Sequence, residues 1–156
     1  MDIDHFKSVN DTFGHAIGDK TIQQAVKCAR AGLRSIYIIR RYGGEECCIL
    51  LPGLNLDQAN VMTDRLRLRI EKEACEALVE GSDRVMTASF GVASTEACPF
   101  DGQLLVDSAD RALYVSKNGG RNRVSRVDGG FNGSLQHIRQ NVQQAFQIVM
   151  FSWSLV

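Results

Sequence analysis

The chain has 156 residues, enough for one domain with a substantial core. Its 18 basic and 18 acidic residues cancel, so no global field recommends nucleic acid or an anionic membrane as partner, and any phosphate chemistry must come from local groups and a bound cation. Five cysteines, odd in number and without Cys-x-x-Cys spacing, argue against a disulfide framework or zinc site and for reduced thiols in a cytoplasmic setting, and no apolar run approaches the length of a membrane span.

The chain opens on Met1-Asp2-Ile3-Asp4-His5-Phe6-Lys7. Asp2 and Asp4 have the i, i+2 spacing that puts both on one side of an extended segment. The pair is either a seat for a hard cation such as Mg²⁺, which takes carboxylate and carbonyl oxygens, or a cap for the helix that follows. Phe6 to Phe13 reads as a short helix carrying Lys7, Asn10 and Asp11, ending at Gly14. His15 to Asp19 then leads into an amphipathic helix with Ile22, Ala25, Val26, Ala29 and Leu33 at helical spacing. Asp19 near its start is expected as an N-cap or first-turn acid, and His15 as a packing side chain.

Gly32 closes that helix, and Arg34 to Tyr37 leads to a hairpin: Tyr37 to Tyr42, a turn, then Glu46 to Leu51, stopped by Pro52-Gly53. The adjacent Gly43 and Gly44 read as the centre of a tight turn with positive φ at both positions. Glu45 and Glu46 follow at the tip, and because neighbouring strand residues face opposite ways, at least one of them needs solvent, a cation or a basic group. The second strand, apolar on both faces, is expected inside its sheet.

A helix from about Leu56 to Lys72 follows, with Ala59, Met62, Leu66 and Ile70 periodic. Arg65, Arg67 and Arg69 upon it suggest a phosphate patch, but alternate residues do not share a helix face, so a solvated basic surface fits better. Val85 to Ala93 alternates as a strand, and Leu104 to Lys117 is a helix with Leu104, Leu105, Ala109, Ala112 and Leu113 inward. That helix ends on Lys117-Asn118-Gly119-Gly120-Arg121-Asn122, where Lys117 and Arg121 either complement the helix dipole or hold phosphate. Arg123 to Val127 is a last short strand. Beyond it, 128–134 is linker-like, and Leu135 to Val156 reads as a weak amphipathic helix or an unstructured extension.

In order and spacing the chain resembles the GGDEF domain of diguanylate cyclases. The carriers are Asp2-Ile3-Asp4-His5-Phe6-Lys7 with Asn10-Asp11, Gly14-His15 and Gly18-Asp19, Arg41-Tyr42-Gly43-Gly44-Glu45-Glu46, Ser89-Phe90-Gly91-Val92-Ala93, and Ala109-Asp110 through Ala112-Leu113-Tyr114 to Lys117 and Gly120-Arg121-Asn122. The resemblance implies a nucleotidyl-cyclase-like α/β fold with a ferredoxin-like βαββαβ core, a central antiparallel sheet and packed helices. It also implies an enzyme that condenses two GTP into cyclic di-GMP with release of pyrophosphate, at a homodimer interface. By the family pattern, Asp2 and Glu45 are catalytic and hold Mg²⁺ (or Mn²⁺) on the triphosphate, with the Ile3 carbonyl and Glu46 assisting. Asn10 and Asp19 meet the guanine edge, Lys7, Lys117 and Arg121 hold phosphates, and Gly43 and Gly44 let the backbone approach the nucleotide.

Three departures qualify this. Cys47 stands where the signature normally ends in Phe, which removes aromatic volume beside the acidic turn. The family's inhibitory site pairs an Arg with an Asp three residues on. Here Arg34 is followed by Tyr37, so weak or absent feedback inhibition is expected. The family also has a segment upstream of Asp2, including most of its first, central strand. The expectation is therefore a domain over 1–127 lacking its N-terminal segment, with a linker and tail over 128–156, in a parent protein whose membrane tether, if it has one, lies upstream. The alternative reading is a degenerate domain that binds GTP or a protein partner without turnover.

Overall fold

The computed structural model describes residues 1–74, 86–95 and 102–127, and the backbone of 147–150. Among the described residues, six strands and four helices follow one another as β1 (Asp2–Ile3), α1 (Phe6–Phe13), α2 (His15–Ala31), β2 (Ile38–Gly43), β3 (Glu46–Leu50), α3 (Leu56–Glu73), β4 (Ala88–Ser94), α4 (Gly102–Asn118), β5 (Val124–Arg126) and β6 (Gln147–Met150).

The strands fill five positions of one sheet. β3 lies between β2 and a position that β1 and β6 share; β4 lies on the far side of that position, and β5 flanks β4. β1 runs antiparallel to β3 and β4, β2 is antiparallel to β3, and β5 is parallel to β4. Omitting β5 and β6, the order β2-β3-β1-β4 with a helical connection from β1 to β2 and from β3 to β4 is the ferredoxin-like βαββαβ core expected from the sequence.

Local chemistry sets the boundaries. α3 starts in a capping box, in which the Asn55 side chain accepts from the Gln58 N–H at 2.8 Å and the Gln58 side chain accepts from the Asn55 N–H at 3.0 Å. At the start of α1, His5 takes φ 58°, a left-handed conformation that turns the chain from strand into helix within two residues. α2 and α3 cover one face, where Ile22, Ala25, Ala29, Leu66 and Ile70 pack with Ile49 and Val92. α4 covers the other, with Leu105 and Ala109 against Ala93. Its approach depends on Gly91: a Cβ there would lie 2.0 Å from the Ala109 carbonyl oxygen and 2.3 Å from the Leu113 nitrogen.

Several expectations need correction. The hairpin turn is centred one residue later than two adjacent glycines suggest. Gly43 ends β2 paired with Glu46, the turn is Gly44-Glu45, and of the two glycines only Gly44 has positive φ. Asp19 is not a first-turn acid, because α2 starts at His15 with Gly14 as its cap. Leu104 points outward at 46% exposure, since Leu105 and Ala109 already fill the side facing the sheet. Part of the tail, read as helix or unstructured chain, is strand β6, whose backbone pairs antiparallel with β3 on one side and β4 on the other. The rest of 128–156 lies outside the described residues, as do Cys75 and Cys98.

Candidate active site

The candidate site lies where β1, the β2–β3 turn and the end of α4 converge. The ladder sets Asp2 opposite Glu46 on one side and opposite Ser89 on the other. Both carboxylates are buried, at 4% and 2% exposure. Lys117, in the last turn of α4, brings its Nζ to 2.7 Å from Asp2 Oδ2. Among the described residues no hydrogen-bond partner reaches Glu46 Oε1.

Charge is concentrated here without full compensation. Burial pushes the Asp2 carboxyl up to about 6 although Lys117 pulls the other way. Glu46 is pushed up to about 7, by burial first and then by the neighbouring Asp2 charge, with Glu45 adding to both. Two adjacent acids that resist ionisation, one with a buried oxygen lacking a partner, fit a hard divalent cation, whose remaining positions would go to a backbone carbonyl and phosphate oxygens. Among the described residues no three acidic, His or Cys side chains already surround a common point.

Asp4 is not part of that acidic pair. Its Oδ1 accepts from Ser89 Oγ at 2.7 Å, and its Oδ2 accepts from Thr87 Oγ1 at 2.7 Å and from the Asn122 N–H at 3.0 Å. The carboxylate is thus a latch joining the start of the chain, β4 and the turn after α4. That turn is conformationally demanding: Gly120, Arg121 and Asn122 all have positive φ. Asn122 is held further by its side chain, which donates to Glu71 at 2.8 Å and accepts from Arg67 at 2.9 Å. Arg67 also pairs with Asp64 and Glu71, so the three arginines of α3 do not form one patch: Arg67 braces the turn, Arg69 pairs with Glu73, and Arg65 is exposed.

A second feature sits between α1 and α2. Asn10 Oδ1 is buried with no hydrogen-bond partner among the described residues, and it occupies the space that Gly18 leaves empty, since a Cβ on Gly18 would stand 1.8 Å from it. An orphaned amide oxygen in a glycine-made niche suits recognition of a polar ligand edge. Asp19, beside Gly18, is exposed, as are Lys7 on α1 and Arg121. Arg34 is exposed too, whereas Tyr37 is 1% exposed and packs in the core. Cys47 is buried, tied to Met1 by paired backbone bonds of 3.2 and 3.4 Å. Burial pushes the Cys28, Cys47 and Cys48 thiols up, and none of the three is in a disulfide.

Asp2, Glu46 and Lys117 are therefore in direct register or contact, with Glu45 beside them. Thr87, Gly18 and Asn122 gain structural roles that no local pattern announced, although Gly18, Ser89 and Asn122 stand within the recurring motifs.

The profile of the family described as "Diguanylate cyclase, GGDEF domain" matches residues 1–123. The chain belongs to the GGDEF family. Diguanylate cyclase A of Treponema denticola is 36% identical over 125 residues, 80% of this chain and 33% of that protein. Diguanylate cyclase DgcP of Pseudomonas aeruginosa is 39% identical over 124 residues, 80% of this chain and 18% of that protein. The chain thus spans a third or less of these curated relatives. Among solved structures, the active GGEEF domain of a diguanylate cyclase from Vibrio cholerae superposes with a TM-score of 0.72 at 28% identity, covering 81% of this chain and 79% of that one. The GGDEF domain of DgcB from Caulobacter crescentus, solved in complex with c-di-GMP, gives 0.71 at 32%, covering 80% and 73%. As a group, GGDEF diguanylate cyclases bind GTP, depend on a metal and act as dimers. No helix among the described residues is long and apolar enough to cross a membrane.

Proposed function

We propose that this GGDEF domain is a diguanylate cyclase, joining two GTP molecules into cyclic di-GMP with release of pyrophosphate. The observation that carries the reading is the pair of buried acids, Asp2 and Glu46, set side by side by the β1–β3 ladder with Lys117 against one and an orphaned oxygen on the other. The Vibrio cholerae domain described as active has a GGEEF signature, which Gly43-Gly44-Glu45-Glu46 matches in its first four residues.

In this reading Asp2, Glu45, Glu46 and the Ile3 carbonyl hold Mg²⁺ or Mn²⁺. When bound, that cation supplies the charge that favours loss of the proton from a ribose 3′-hydroxyl and disperses charge on the attacked α-phosphate. Asn10, through the oxygen left free beside Gly18, accepts from the guanine edge, and Asp19 accepts beside it. Lys117 shifts from Asp2 towards phosphate oxygens as nucleotide arrives, and Lys7 and Arg121 meet the same group. The Gly43-Gly44 backbone leaves room for the nucleotide. Each domain holds one GTP, so turnover needs two copies facing each other. Arg34 has no acidic partner at position 37, so the inhibitory site is degenerate.

The test is incubation of the concentrated chain with GTP and Mg²⁺, following cyclic di-GMP and pyrophosphate against Glu45→Ala. Product that disappears in the variant supports the cyclase. GTP binding with no product at any protein concentration supports a nucleotide-binding domain without turnover.

A further inference from the structure

Arg121 holds a backbone shape that its own side chain does not favour. It lies between Gly120 and Asn122 in a run of three positive φ values, 110°, 62° and 44°. Gly takes such a conformation freely and Asn tolerates it, but for Arg it costs free energy and persists only where the surroundings over-determine it. The Arg121 side chain is exposed, so core packing does not supply that constraint. Its N–H donates to the Ser116 carbonyl at 3.0 Å and its carbonyl accepts from Arg123 Nε at 3.1 Å, and both contacts are local in the chain. The contacts with distant elements come at Asn122, which meets Asp4 through its backbone N–H and α3 through its side chain.

The α3 contact is a closed ring. Arg67 Nη1 donates to Asn122 Oδ1 at 2.9 Å and to Glu71 Oε2 at 3.0 Å, and Asn122 Nδ2 donates to Glu71 Oε1 at 2.8 Å. Both ends of the Asn122 amide and both oxygens of Glu71 are thus engaged. Arg67 Nε also donates to Asp64 Oδ1 at 2.7 Å. Asp64 and Glu71 stand three before and four after Arg67 on one helix, so α3 fixes the guanidinium independently of the turn that it grips. The Arg67 side chain is only 14% exposed, which shields these charge-assisted bonds from water. We propose that Arg67, acting through Asn122, is a positioning residue for phosphate binding: the ring holds the turn in the left-handed form from which Arg121 meets phosphate oxygens. The inference rests on the cyclase reading for its ligand, whereas the geometry of the turn stands without it.

Two readouts in the full 156-residue chain separate positioning from general stability. The first is made without nucleotide: Arg67→Ala should speed amide exchange at Arg121 and Asn122 roughly tenfold and leave the core amide of Ile49 unchanged. The second is equilibrium binding with Mg²⁺. Arg67→Ala and Asn122→Gly should each weaken GTP binding roughly tenfold, and GMP binding less than about threefold, since GMP lacks the outer phosphates. The double variant should weaken GTP no further than either single one, because Arg67 acts through Asn122. Asn122→Gly keeps the N–H that Asp4 accepts and takes positive φ without cost, so a turn that needed only a left-handed backbone would keep its GTP affinity. That result would overturn the proposal, as would losses that add in the double variant, an equal loss for GMP, or unchanged exchange. If Arg67→Ala does not fold, Asn122→Gly decides by both readouts. A parent chain that binds no GTP would sink the cyclase reading instead, and the exchange measurement would still decide what holds the turn.

Discussion

Replacing Asp4 separates a latch from a metal ligand. Its carboxylate accepts from Ser89 Oγ, Thr87 Oγ1 and the Asn122 N–H at 2.7, 2.7 and 3.0 Å, and it is buried at 6% exposure. Hydrogen bonds to a charged acceptor contribute about 1.5–3 kcal/mol each, and non-additivity trims the sum. Asp4→Ala strands the buried Ser89 hydroxyl and two half-buried donors that water can reach in part, so the expected loss is about 2–4 kcal/mol, a large part of the roughly 5–15 kcal/mol that holds a domain folded. Asp4→Asn should cost less. The backbone N–H of Asn122 cannot turn away, so the amide keeps its oxygen towards Asn122 and Thr87 and presents its nitrogen to Ser89, whose hydroxyl can rotate to accept. That variant loses charge assistance but no partner, for about 1–2 kcal/mol. Urea denaturation of the three proteins in EDTA gives the values directly. Because the latch anchors the turn carrying Arg121 just beyond Lys117, nucleotide affinity should fall in the same order. An alanine variant within about 1 kcal/mol of the parent, or an asparagine variant as unstable as the alanine one, would refute the reasoning.

Gly18→Ala places a methyl where Asn10 Oδ1 now sits, 1.8 Å away. It should cut GTP affinity by roughly 10- to 100-fold and weaken discrimination against ATP, as should Asn10→Ala, while leaving Mg²⁺ binding intact; equilibrium binding with fluorescent nucleotides reads both, and unchanged GTP selectivity counts against the niche. Gly91→Ala drives a methyl into the α4 backbone at 2.0 and 2.3 Å, so β4 and α4 must separate, at about 3 kcal/mol or with loss of soluble protein; a variant as stable as the parent would contradict that packing. Asp2 and Glu46 are raised from ordinary values of 3.8 and 4.5 to about 6 and about 7. The folded chain therefore keeps protons that the unfolded chain has released. Their contribution to stability is fully present below the ordinary values and is lost as pH rises through the folded ones. In EDTA the melting temperature of the chain, taken relative to Glu46→Gln, should fall between about pH 5 and pH 8 and recover at the upper end on adding Mg²⁺; the comparison cancels the opposite pH dependence of the buried Met1 amine, which burial lowers to about 4, and a rise in that difference without metal would refute this account.

Periodicity and punctuation fixed most of the elements in advance. α1 and α2 follow from apolar spacing broken at Gly14, α3 from Ala59, Met62, Leu66 and Ile70 at periodic positions, and the hairpin from two apolar runs around a glycine pair. The spacing of recurring motifs also carried the family, and with it the ferredoxin-like core and the acids near the turn. Those signals are local or serial, and a linear chain displays them. The Gly44-Glu45 turn escaped because the bulge between Arg41 and Gly43 shifts pairing by a residue, and composition does not report register. Leu104 escaped because helical spacing allowed a neighbour to take its inward place.

The sequence by itself determined which residues alternate, which cap and which carry charge, since propensity, patterning and turn chemistry act over a few residues. Tertiary structure alone decided what those residues do to one another. Asp2 and Glu46 are 44 positions apart yet adjacent in a ladder, Asp4 spends its charge on Ser89, Thr87 and Asn122 rather than on a cation, and Gly18 matters through the space it yields to Asn10. The pairing of residues 147–150 beside Ile49 and Val92 belongs with these. Ladder partners so distant in the chain are chosen by the assembly of the whole sheet, which no four-residue window announces.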